Sequence, residues 1–146
     1  MHNKNIKILD LLKRNSKLTT SQISKKTGIP ITTVHNRIKK MEKEGIIKHY
    51  TLDLDYNKLN LPLQAHVLVT AFNTTPNGKK VDQEIIAKQI KKHEHIERVQ
   101  IITGGYDLLV TIRASSMKEL NELITKFIRQ VDGVDKTTTM MVMDEV

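Results

Sequence analysis

The 146-residue sequence contains no cysteine, which excludes disulfides and thiolate-bound zinc and suits a reducing compartment. Aromatic residues are scarce, while Lys and Ile abound, a bias that reflects genome composition and carries no functional reading. Long apolar runs are missing as well. Ala65–Phe72 is only as long as a strand and is interrupted by His66 and Thr70, so no membrane span is expected. The opening MHNKNIKILDLLKR is too short and too charged for a secretory signal. These absences point to a cytoplasmic protein with no membrane partner. Hydrolytic catalysis also lacks its tools. There is no Cys, and no Ser sits in a nucleophile elbow, so no catalytic residue and no cofactor is expected.

Net charge is absent from one half of the chain and concentrated in the other. Residues 1–62 hold 13 Lys and Arg against 5 Asp and Glu, whereas residues 63–146 hold 11 of each. The whole formal charge of +8 therefore lies in the first half. At this length a chain forms one domain or two small ones, and the charge split favours two. Each half has a small core and benefits from association.

The basic half reads as a helix-turn-helix. Ile6, Leu9 and Leu12 recur at helical spacing, with Ile8 and Leu11 widening the stripe. Thr19 and Gln22 form a capping box for a second helix, in which Ile23 faces the core. Gly28 supplies the positive φ that a tight inter-helix turn needs. A third helix opens near Pro30–Thr32, a position that tolerates proline, and Val34, Ile38 and Met41 mark its buried stripe. At roughly 100° per residue, Thr32, Asn36, Lys39 and Lys43 lie most nearly opposite Val34, flanked by Thr33, His35 and Lys40. Asn can bond adenine bidentately, Thr offers a methyl or a hydroxyl, and Lys reaches guanine or phosphate. Arg37 lies nearer the buried side, as an ion-pair partner or a phosphate contact from the flank, and Thr19 and Ser21 complete the candidate DNA contacts. A lysine run is usually a solvated face. Here the turn glycine, the capping box, the paired stripes and the regional charge agree on double-stranded DNA as partner. After Gly45, Ile46–Ile47 and Tyr50–Leu54 read as extended, either a short wing or the lead into a linker at Asp55–Pro62.

The neutral half reads strand, helix, strand, strand, helix, strand. The strands are expected at Leu63–Asn73, Glu97–Thr103, Tyr106–Arg113 and Val134–Val142. The helices are expected over Val81–His93 and over a second stretch opened by a capping box of Ser116 and Glu119 and ended by Gly133. A βαββαβ order is ferredoxin-like, with Gly104–Gly105 turning between the middle strands. Two helices cover one face of such a sheet. An apolar uncovered face, with Leu109 and Met141 as candidates, predicts dimerisation.

In this order and at this distance, two motifs resemble the Lrp/AsnC, or feast/famine, family of transcription regulators. One is V-x-x-R-I-x-x-M-E-x-E-G-I-I at Val34 to Ile47, and the other is Thr103-Gly104-Gly105-Tyr106-Asp107, similar to the family's T-G-x-Y-D turn. The resemblance runs along essentially the whole chain. It implies an α+β protein with a winged helix-turn-helix over residues 1–50, a linker strand and hinge over 51–62, and a βαββαβ effector-binding and oligomerisation domain over 63–146. It also implies homodimers that build larger assemblies, contact with the transcription machinery, and an amino acid bound near the turn and the last strand. The residues carried over for that ligand are Gly104, Gly105, Tyr106, Asp107 and Thr138. Backbone amides at the glycines would hold a carboxylate and Asp107 an α-ammonium. The bland alternative is a plain hairpin turn in which Asp107 caps backbone amides. Two departures from the family pattern stand out. Pro30 replaces the usual capping Ser, and Asn5 replaces the usual Asp of the first helix.

Three other readings compete. His93-Glu94-His95 invites a metal, but no third ligand is suggested nearby, so no metal site is expected. Some tetrapyrrole decarboxylases share this layout, and His66 and Arg113 could be placed at such a ligand, although an enzyme has no need of +8 on one half. A chromatin-like architectural protein would make the same DNA contacts with a lower specificity ratio.

Overall fold

A computed structural model describes residues 3–145 and divides the chain into two compact units between Leu54 and Asp55. The first unit holds three helices, α1 (Asn3–Arg14), α2 (Thr20–Thr27) and α3 (Ile31–Lys43). Its core gathers Ile8, Leu12, Ile23, Ile29, Val34 and Met41, with Leu9, Leu11, Leu18, Ile38 and Ile47 packed around them. The stripe of α1 thus centres on Ile8 and Leu12, four residues apart, and Ile6 lies outside it on the exposed side. Thr19 caps α2 with the full reciprocal box: its hydroxyl accepts from the Gln22 amide, and Gln22 Oε1 accepts from the Thr19 amide. Gly28 ends α2 at φ 71°, a left-handed conformation that costs glycine nothing and lets its amide close on the Ser24 carbonyl. Ile46–Ile47 and Tyr50–Leu54, expected to be extended, follow α3 without pairing into a strand.

The second unit is a four-stranded antiparallel sheet in the order β2-β3-β1-β4, built from β1 (Leu63–Ala71), β2 (Ile96–Ile101), β3 (Leu108–Ala114) and β4 (Val134–Met141). Helix α4 (Gln83–Ile90) joins β1 to β2. Helix α5 (Met117–Glu122) continues through a π-helical turn at Leu123–Phe127 and a 3-10 turn at Ile128–Gln130 before β4. This is the ferredoxin-like βαββαβ plan. Ala65, Val67, Val69, Leu108, Val110 and Ile112 are buried on the same side as Ile86, Ile90, Leu120 and Ile128 of the helical segments.

The other sheet face carries His66, Leu68, Thr70, Leu109, Thr111, Arg113, Thr138 and Met140. Leu109 lies there, as expected, but Met141 does not. It pairs with Ala65, and paired residues share a face, so Met141 packs on the helix-covered core. The strands around the glycine turn are shorter than the alternation suggested. Gly104 adopts φ 124°, and the Asp107 amide donates to the Val69 carbonyl rather than to β2, so β3 begins at Leu108 and Tyr106 stays outside it.

Candidate nucleic-acid interface and effector turn

Helix α3 buries Val34 and Met41 and turns the opposite residues outward. Thr32, His35, Asn36, Lys39, Lys40 and Lys43 are exposed, and Thr33 is half-buried beside them. The helix starts at Pro30, whose side chain forms no cap, so the first-turn amides have no side-chain acceptor at the N-cap. Thr19 and Ser21 are exposed at the start of α2. The Thr19 hydroxyl accepts from Gln22 and keeps its own hydrogen to donate.

Arg37 is half-buried, and its Nη1 donates to Asn5 Oδ1 at 2.8 Å, tying α3 to α1. Its Nε is buried without a hydrogen-bond partner, and among the described residues no carboxylate pairs with it. Two other cations of α3 are paired: Lys39 Nζ lies 3.3 Å from Glu42 Oε2, and Lys40 Nζ lies 3.7 Å from Glu44 Oε1. Sequence reasoning missed Glu42 and Tyr50. The Tyr50 hydroxyl donates to Glu42 Oε1 at 2.8 Å. This bond, then Lys39, holds the Glu42 carboxyl below the usual carboxylate range, while burial and then the same carboxylate push the Tyr50 phenol up. The i, i+3 spacing of Lys39 and Glu42 was the available signal. The Tyr50 contact depends on how the chain folds back after Gly45.

In the second unit, Gly104 and Gly105 are exposed at the turn, with nothing within 4 Å of where either Cβ would stand. Asp107 is braced: Oδ2 accepts from the Ala71 amide at 2.7 Å, and Oδ1 accepts from Gln83 Nε2 at 2.6 Å. The carboxylate thus clips the turn to the end of β1 and to α4 with one bond to each oxygen. Beside it lies a groove of about 730 Å³ lined by Phe72, Lys80, Asp82, Gln83, Glu84 and Ile101. Of the five residues carried over for an effector, only Asp107 lines this groove. Thr138 is exposed on the open sheet face opposite Leu68, and among the described residues no hydrogen bond joins it to the turn.

The residues behind the competing readings have other partners. His95 Nδ1 lies 3.4 Å from Glu119, and the His93 ring packs on Phe127 at 4.9 Å. Among the described residues no group of three His, Cys, Asp or Glu is arranged to hold a metal. His66 bonds Thr111 at 3.2 Å, and Arg113 stacks 4.0 Å over the Tyr56 ring while pairing with Glu97 at 3.1 Å. No helix among the described residues is long and apolar enough to cross a membrane.

Comparison with known proteins matches both units. Residues 1–48 fit the family model for winged helix-turn-helix DNA-binding domains, and residues 69–146 fit that for the Lrp/AsnC ligand binding domain. An HTH-type transcriptional regulator of Pyrococcus abyssi is 39% identical over 140 residues, spanning 96% of this chain and 91% of that protein. The leucine-responsive regulatory protein of Haemophilus influenzae is 34% identical over 141 residues, spanning 97% of this chain and 82% of its own length. A Neisseria meningitidis transcriptional regulator solved with L-methionine superposes with a TM-score of 0.89 at 23% identity, covering 100% of this chain and 92% of that one, a likeness of fold.

Proposed function

Because the chain belongs to the Lrp/AsnC family of transcriptional regulators, we propose that it binds specific duplex sites through the outward face of α3. It does so as a homodimer or a larger assembly, in the cytoplasm. The observation that carries this is the exposed set Thr32, His35, Asn36, Lys39 and Lys43 on a helix whose opposite side is locked into a core. Those side chains supply base-edge partners, and the surplus of cations on the same half supplies phosphate contacts. Lys40, Thr33, Ser21 and Thr19 serve the backbone, and Arg37 reaches it from the flank. The family is one of regulators rather than enzymes, which sets aside the tetrapyrrole-decarboxylase reading.

The test compares Asn36→Ala with the wild-type protein on a selected duplex and on a scrambled one. Loss of about 1–3 kcal/mol on the selected site alone, with relaxed preference at one base pair, is the expected outcome. An unchanged ratio of the two affinities would instead favour an architectural protein with little base readout.

We further propose an amino acid as effector at the turn. The Neisseria protein was solved with L-methionine, and the exposed glycines Gly104 and Gly105 offer backbone amides that suit a carboxylate. Asp107 retains lone pairs for an α-ammonium beyond the two bonds it already accepts. Occupancy then alters assembly or DNA affinity, and through them access of the transcription machinery to the promoter. The second unit and its turn (63–146) act as sensor, the first (1–50) as reader, and 51–62 as the hinge.

A further inference from the structure

Lys39 stands on the outward face of α3 with its ammonium 3.3 Å from Glu42 Oε2, one turn further along. An exposed pair of this kind is ordinarily loose, because both long side chains must be ordered to keep it. Glu42 is not free to wander. Its other oxygen accepts the 2.8 Å bond from the half-exposed Tyr50, which comes from the segment after α3 and lines a groove with Leu9, Leu12 and Ile47. The carboxylate is therefore also held from outside the helix, and one oxygen is left to face the ammonium. The neighbouring pair, Lys40 with Glu44, is longer at 3.7 Å and lies within the helix and its C-cap, and among the described residues no such anchor reaches it from the following segment.

We propose that Glu42, anchored by Tyr50, is a positioning residue for DNA recognition: it withholds Lys39 from indiscriminate phosphate contacts and orients it along the base-reading face. The inference rests on α3 being the helix that reads DNA. A phosphate that approaches Lys39 also approaches the Glu42 carboxylate, and the two anions repel, so a random duplex gains little from this ammonium. A neutral base acceptor at a preferred site meets no such repulsion, and an ammonium with three donors can serve the carboxylate and a base edge together. The carboxylate thus widens the gap between specific and random binding at the expense of raw affinity.

The experiment uses the full chain. A preferred duplex is selected from a random pool with the wild-type protein, and affinity for it and for a scrambled duplex is measured across a salt series. Glu42→Gln removes the charge while keeping an acceptor for Tyr50. It should raise affinity for the scrambled duplex, narrow the affinity ratio, and add about one released counterion to the salt dependence. That is about threefold more affinity lost over a fourfold rise in salt. In a Lys39→Gln background the same change should do none of this, which separates action through Lys39 from a general loss of negative charge. Tyr50→Phe should shift binding in the same direction by a smaller amount. An unchanged salt slope in Glu42→Gln, or an equal shift with Lys39 absent, overturns the positioning role. Wild-type behaviour of Tyr50→Phe overturns the anchor. If the wild-type protein selects no duplex at all, the DNA-reading assignment of α3 itself fails, and this inference falls with it.

Discussion

Arg37 is a charge only half satisfied. Its guanidinium is held by the neutral Asn5 amide, its Nε is buried without a partner among the described residues, and α1 has no acidic residue in its first turn. A hydrogen bond from a guanidinium to a carboxylate is stronger than one to an amide. A carboxylate at position 5 would also meet the positive end of α1. Asn5→Asp should therefore stabilise the first unit by about 1 kcal/mol. Thermal unfolding should show its midpoint raised by a few degrees, and an unchanged or lowered midpoint counts against this account. The same exchange should weaken duplex binding slightly, since a neutralised Arg37 offers less to a phosphate.

At the scale of the element, α5 is opened by a cap that differs from the expected box. Ser116 Oγ accepts from the Glu119 amide as expected. The Glu119 carboxylate, however, reaches past Ser116 to the amide and hydroxyl of Ser115, both at 2.6 Å, with His95 at 3.4 Å on its other oxygen. The Ser115 hydroxyl first, then the Ser115 amide, hold the Glu119 carboxyl below its ordinary value of 4.5. A depressed carboxyl stabilises the fold above that value, and the contribution is lost as pH falls through the folded-state value. Glu119→Gln should therefore flatten the fall of the melting midpoint below pH 4.5. An acid limb identical to that of the wild-type protein would show that this contact contributes nothing.

At the scale of the whole molecule, the proposed assembly and the proposed effector are tested together. The sheet face opposite the helices presents Leu68 and Leu109 among polar neighbours, and the full chain should sediment as a dimer or larger. An amino acid that prefers one assembly or DNA-bound state shifts that equilibrium, and one that binds all states equally shifts nothing. Screening the common amino acids should reveal at least one that raises the melting midpoint in proportion to its excess. Asp107→Asn is the matching variant. Its oxygen can still accept from the Ala71 amide, and Gln83 can rotate its own amide to accept from the new one, so the brace survives while the charge goes. The shift should vanish in that variant while duplex affinity is kept. If no amino acid moves either the midpoint or the sedimentation, the turn is structural here.

What the sequence determined by itself is what depends on local periodicity and on residue chemistry. The three-helix order, the left-handed turn at Gly28, the α2 capping box and the outward set on α3 all follow from spacing along a single helix or turn. The βαββαβ order is legible in the same way, because alternation and glycine breaks are local signals. Tertiary structure decided whatever depends on which distant residues meet. Met141 joined the core because register paired it with Ala65. Ile6 was left out because Ile8 and Leu12 took the contact with α2 and α3. Asp107 became a brace because the end of β1 offered it an unpaired amide at Ala71. The hold on Lys39 lies further still from sequence reasoning. It needs the chain after Gly45 to fold back until the half-exposed Tyr50 meets Glu42, a contact between a helix and an irregular segment that follows no repeat and leaves no spacing to read.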